Sequence, residues 1–192
     1  MRNFSVMNFV FFLFWGQLQG AGFYGDPDTI ITYRHYPVPR GIVGMIFYVQ
    51  RSHNRNTVIY ELKYRDDGTL DSREPLHASW IRFEEGGIRK ELSFIQNKIF
   101  GLEIVRVAKE GWLVHFRSYK KRDIYLLKHG KDNGYEAIVK INGHVSILTS
   151  LFLGTVTNSL GIPSIIEYID IHGIDPASNK HVMERIILNK KI

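Results

Sequence analysis

From Met45 onward the chain alternates apolar and polar residues in short runs, and turns bearing glycine cut the runs apart. The clearest run is Thr57 to Tyr64. Val58, Tyr60, Leu62 and Tyr64 fall on one of its faces and Ile59, Glu61 and Lys63 on the other, the period of two that marks a half-buried strand. Met45 to Gln50 reads as the strand before it, joined through the polar connection Arg51 to Asn56. Past Asp66-Asp67-Gly68 and Pro75, Leu76 to Phe83 reads as a third strand. The period then changes. Leu92, Ile95 and Ile99 recur at three and four residues within RKELSFIQNKIF, which predicts one short helix of about ten residues closed by Gly101.

Strand patterns resume and continue to the end: Leu102 to Ala108, Trp112 to Ser118, Ile124 to His129, Tyr135 to Ile141, His144 to Phe152, Ser164 to His172 and Val182 to Leu188. Glu110-Gly111, Asp132-Asn133-Gly134 and Asn142-Gly143 have the chemistry of tight turns with positive φ, so neighbouring strands are expected to pair as antiparallel hairpins. The fold class implied is all-β. A single antiparallel meander of about ten strands is expected, forming a barrel or a sandwich, with one short helix inserted after the third strand. Helix content should stay under about 15%, well below that of an average domain.

The residues before the first strand read differently. Met1 to Gly22 begins with Arg2 as its only charge, runs through the apolar stretch Phe4 to Trp15 and ends in Gly20-Ala21-Gly22, the layout of a cleavable signal peptide. The expected organisation is a leader over 1–22 and one β-rich domain over 23–192, exported to a periplasm or to the medium. With no cysteine, lipid anchoring through a cysteine and a disulfide framework are both excluded, so the core must carry the stability. The net charge of +6 is mild and its cations are scattered. Arg117, Lys120, Lys121 and Arg122 cluster in what reads as a solvated turn, so no nucleic-acid partner is expected. Peripheral contact with an anionic envelope surface is the partner such a cluster would suit instead.

Candidate chemistry is sparse. Arg51, Ser52, His53, Asn54, Arg55 and Asn56 are consecutive hydrogen-bonding side chains in one strand connection. One reading is a polar ligand rim with Arg51 as a fork for an anion. The other is a turn in which Asn54 and Asn56 supply left-handed geometry and Ser52 ties down amides, with Arg51 paired to Glu91 or Glu61. Asp170 and His172 share a strand face two residues apart, and a third ligand would have to come from elsewhere in the fold, with His115 and His144 as candidates. No HExxH, no GxSxG elbow and no phosphate-binding glycine loop occurs, so neither a cofactor nor a metal is assigned.

The stretches RSHNRNTVIYELKY, ASWIRFEEGGIRKELSFIQNKIFG and IIEYIDIHG resemble a bacterial family catalogued as domain of unknown function 4833. Arg51, Ser52, Asn54, Asn56, Trp80, Ile81, Glu91, Leu92 and Gly101 carry the likeness, which spans roughly Met45 to Ile187. His53 and Ile99-Phe100 depart from its pattern. The resemblance implies membership of an uncharacterised, exported group and no reaction.

Two functional classes remain. In the first, the domain is a binding module for a small apolar or anionic ligand, using Arg51, Ser52, Asn54, Asn56, Trp80, Glu91, Asp170 and His172. A void walled by Tyr60, Trp80 and Phe116 would mark it. In the second, it is a hydrolase-like enzyme using Arg51, Glu91, Asp170 and His172, which convergence of Arg51, Asp170 and His172 would mark.

Overall fold

The computed structural model describes residues 36–129, 134–158 and 163–191, so the leader pattern and the Asp132-Asn133 turn lie outside the described residues. Eleven strands and one helix follow in order: β1 (Met45–Arg51), β2 (Asn54–Leu62), β3 (Leu76–Arg82), β4 (Ile88–Glu91), α1 (Phe94–Phe100), β5 (Leu102–Ala108), β6 (Gly111–Phe116), β7 (Tyr119–His129), β8 (Gly134–Ile141), β9 (His144–Thr157), β10 (Pro163–Ile174) and β11 (His181–Lys191). Strand makes up 65% of the described residues and helix 7%, as the alternation pattern implies.

β9 organises the sheet. Along one edge, its first residues pair antiparallel with β8 through Ile138↔Ile147 to Ile141↔His144. Further along the same edge, β1 pairs parallel through Tyr48↔Ser150 to Arg51↔Leu153. The opposite edge takes β10 over nearly its whole length, and β10 carries β11. Two antiparallel meanders, β1-β2-β3-β4 and β8-β7-β6-β5, therefore leave one strand at neighbouring points and curl toward each other as a half-barrel.

Aromatic packing joins the two arms. Phe47 of β1 stacks on Tyr60 of β2 with centroids 4.4 Å apart, and Phe116 of β6 meets both rings edge-on at 6.2 and 5.7 Å. Tyr60 is fully buried, and its hydroxyl donates to the Phe100 carbonyl at 2.7 Å, tying the end of α1 to the core. Phe47, Val49, Val58, Trp80, Val114, Ile124, Val139, Leu151 and Ile171 continue the same cluster from every part of the sheet. Tyr60 and Phe116 are thus in packing contact rather than walling a void, because a half-barrel this tight fills its interior with side chains.

Several expectations need correction. The meander is not purely antiparallel, since the β1–β9 pairing is parallel and the chain reaches it by a long crossover. Arg89 to Glu91, which open the window expected to hold the helix, instead join Ile88 in β4, which adds to β3 through Ser79↔Glu91 to Arg82↔Ile88. The helix starts later because Ser93 forms a capping box with Gln96: the Ser93 hydroxyl accepts from the Gln96 amide, and the Gln96 side chain accepts from the Ser93 amide at 2.8 Å. Asn142 and Gly143 do hold positive φ, at 50° and 82°, whereas Gly111 opens β6 in extended backbone. The Arg51-to-Asn56 connection shrinks to Ser52-His53, and neither Asn54 nor Asn56 is left-handed.

Gly154 of β9 lies opposite Tyr168 of β10, whose ring covers it and in turn carries the Arg185 guanidinium at 3.9 Å. A Cβ on Gly154 would fall inside that ring. Gly154→Ala should therefore displace Tyr168 and cost about 1 to 3 kcal/mol of stability, read as a lower urea midpoint with an unchanged slope.

Candidate functional site

The sequence candidates separate into three places. At the first, the end of β1, alternation with Phe47 and Val49 turns the Arg51 side chain to the core face. Its guanidinium lies 4.3 Å from the Trp80 ring centroid and 5.2 Å from that of Phe100. Nη2 donates to Asn54 Oδ1 at 3.3 Å, while Nε is buried with no partner among the described residues. Burial pushes its pKa down to about 10, against the opposing pull of Glu84. Neither expected carboxylate pairs with it: Glu61 takes Arg89, and Glu91 accepts from His77 at 3.1 Å. The ring faces do that work instead, since a guanidinium can lie flat on an indole without a counter-ion.

Around Arg51 the polar residues are structural. Ser52 Oγ accepts the Thr155 amide at 2.8 Å, and the Ser52 amide donates to the Leu153 carbonyl at 2.9 Å, stitching the turn to β9. Asn54 Oδ1 also accepts the Asn56 amide at 3.1 Å. Asn56 Oδ1 accepts the Glu84 amide at 3.2 Å, and Glu84 returns a carboxylate oxygen to the Arg55 amide at 3.2 Å. Glu84 is the partner that spacing could not reveal, because it lies 28 residues from Asn56.

The second place is the opposite face of the sheet, where Asp170 and His172 point away from Ile169 and Ile171. Asp170 is fully buried and accepts two bonds from Arg185, Nε to Oδ1 at 2.6 Å and Nη2 to Oδ2 at 2.7 Å. His172 Nδ1 meets His181 Nε2 at 3.1 Å. β11 supplies both Arg185 and His181 through the register Asp170↔Arg185 and His172↔Met183. His115, one of the imagined third ligands, is held by Asp123 at 2.6 Å. Among the described residues no group of three ligating side chains gathers, and Arg51, Asp170 and His172 do not converge.

Glu91 belongs to the third place, the seam where the two arms of the half-barrel approach. A groove of about 480 Å³ runs there. Leu76, His77 and Ala78 of β3 line one wall, and Leu102 to Val105 of β5 line the other. Consecutive residues on each side mean that two strand edges face the groove. β4 pairs with β3 only from Ser79 onward, because the chain leaves the sheet at Leu92 to enter α1, so the β3 edge from Leu76 to Ala78 has no strand partner among the described residues. Among the described residues β5 has only β6 beside it. Side chains at Leu76, Ala78, Leu102 and Ile104 face inward, in line with Trp80 and Val114, while Glu91 and Glu103 stand on the outer rim. Sequence reasoning missed this site because its walls are backbone edges, which carry no residue signature.

The fold and the groove define a β-rich half-barrel with a groove along its seam. The chain belongs to the domain of unknown function family DUF4833, whose model matches residues 47–185. None of the curated proteins and none of the solved structures compared with it matches.

Two measurements test this picture. Arg51→Ala should lower stability by about 1 to 2 kcal/mol, since it uncovers two ring faces, and Arg51→Lys should restore little because an ammonium cannot lie flat on them. The second concerns acid. Burial first, then His181 and Arg185, push the His172 pKa down to about 4, and His53 is pushed down to about 4 by burial and Arg51. The unfolded imidazoles take up protons near pH 6.5 and the folded ones only near 4, so stability is full above that window and falls as pH drops through it. His172 alone should account for a loss on the order of 3 kcal/mol, and His172→Gln should flatten the slope of urea midpoint against pH.

Proposed function

We propose that this protein is a binding module whose ligand occupies the seam between β3 and β5. The single observation behind this reading is a groove of about 480 Å³ walled by two strand edges, within the size range of ligand sites. Its floor is apolar, from Leu76, Ala78, Leu102 and Ile104, and its rim is charged, the combination that gives both burial and orientation to a bound molecule. The earlier candidates fit this reading as support: Arg51 and Trp80 brace the Phe100 end of α1, which closes one end of the groove through Asn97 and Gly101. The leader pattern of Met1 to Gly22 supports export, so that the ligand is met outside the cytoplasm. The hydrolase-like alternative loses its support, since Arg51, Asp170 and His172 are each engaged elsewhere.

Thermal-shift screening of the full chain against lipids, oligosaccharides and short peptides should yield a stabilising ligand. At a hundred times its dissociation constant it would add about 2.7 kcal/mol. Ala78→Trp, which fills the groove from its floor, should remove that shift. Hits that stabilise the variant equally would overturn the seam as the site.

A further inference from the structure

Resting on the seam as the binding site, we propose that its ligand is an extended polypeptide segment that enters as a strand and bridges β3 to β5. The first ground is the chemistry of the walls. A strand edge presents a row of amide donors and carbonyl acceptors, and the complement of such a row is another peptide backbone. Here two such rows face one groove, at Leu76 to Ala78 and at Leu102 to Val105.

The second ground is that the β5 edge is protected only in part, by Arg117, whose Nε donates to the Leu102 carbonyl at 3.3 Å, and by the charges of Glu103 and Arg106. β4, at the other end of the sheet path, is four exposed residues, three of them charged, which discourages pairing. β5 is LEIVRVA, with Val105 58% and Val107 52% exposed, no proline, and no shift of register before Arg106. The exposed Val105 and Val107 leave apolar surface at this edge for a partner strand to cover.

Geometry then sets what the segment looks like. At one end of the groove the Trp112 indole, in register with Arg106 of β5, donates to the Ser72 carbonyl just before β3 at 3.0 Å. At the other end Trp80 of β3 lies 5.8 Å from Phe100 just before β5. β3 and β5 therefore run in opposite directions, and an inserted strand is parallel to one and antiparallel to the other. Its alternate side chains point inward over Ala78, Leu102 and Ile104 and are apolar. The intervening ones point outward to a rim that carries Glu74, Glu91 and Glu103 together with Lys63, Arg73 and Arg117, so they are polar without a fixed sign. Among the described residues Glu91 meets His77 at 3.1 Å and Glu103 meets Lys120 at 2.7 Å, exposed pairs that exchange partners at little cost.

The test selects a phage-displayed random heptapeptide library on the full chain, then measures the enriched sequences as synthetic peptides. Enriched peptides should alternate apolar with polar residues. N-methylation of either alternate set of their amides should weaken binding by about tenfold or more, because both edges are bonded. Loss on methylation of only one set would mean that a single edge is used and would overturn the bridging strand. No enrichment, no alternation, or indifference to methylation would overturn strand addition altogether. In that case a small molecule whose thermal shift is abolished by Ala78→Trp would still uphold the seam as a site, whereas shifts untouched by that variant would remove both readings.

Discussion

Everything in this half-barrel follows from one shared edge. A strand edge offers each residue one line of hydrogen bonds, and β9 divides its line between two partners, β8 at His144 to Ile147 and β1 at Ser150 to Leu153. Two partners cannot lie in one plane along the same edge unless the strands fan apart, and right-handed sheet twist turns that fan into a curl. The arms then face each other, so that Phe116 reaches Phe47 and Tyr60 across the interior. β10 pairs along the other edge from Ile147 to Thr157, so β9 is held from both sides where β1 joins it.

The polar residues inside this frame act as fasteners. Ser52 bonds Thr155 across 103 residues of sequence, Tyr60 anchors the last carbonyl of α1, and Asn56 with Glu84 locks the turn after β3 to the start of β2. Asp170 and Arg185 form a pair whose carboxylate is fully buried while the guanidinium reaches the surface. Such a pair adds little net stability compared with an apolar one, but breaking it would leave an uncompensated buried charge. Arg51 is the exception among these residues, a cation held by ring faces with a buried Nε left over. Its desolvation is offset by the quadrupole of Trp80 and by Glu84 at longer range.

The same geometry that builds the core leaves the seam. Curling the two four-stranded arms brings β3 and β5 opposite each other, because β4 is too short to cover the end of β3. Closure would have removed both edges, and a flat sheet would have kept them far apart. A half-barrel does neither. Its two unpaired edges share one groove, and that is the feature on which a binding role rests.

Alternation along the chain was enough to predict nearly all the strands, because a period of two survives any arrangement in which one face is buried, and Asn142-Gly143 announced its hairpin by chemistry alone. It could not predict β4, where Ile88 to Glu91 is exposed at every position and carries no alternation to read. Nor could it choose among partners for Arg51: Glu61, Glu84 and Glu91 are equivalent in sequence, and only the fold shows that Arg89 and His77 take two of them while Trp80 and Phe100 take Arg51. Asp170 and His172 were rightly placed on one strand face, but their partners Arg185 and His181 come from register with β11, which depends on how the last turn closes. The sequence by itself therefore determined which residues extend and which faces are apolar, since those are local properties of side chains. Only the tertiary structure decided that β1 runs parallel to β9 and that two edges stay open, because pairing is settled by competition among all strands for a limited set of backbone bonds.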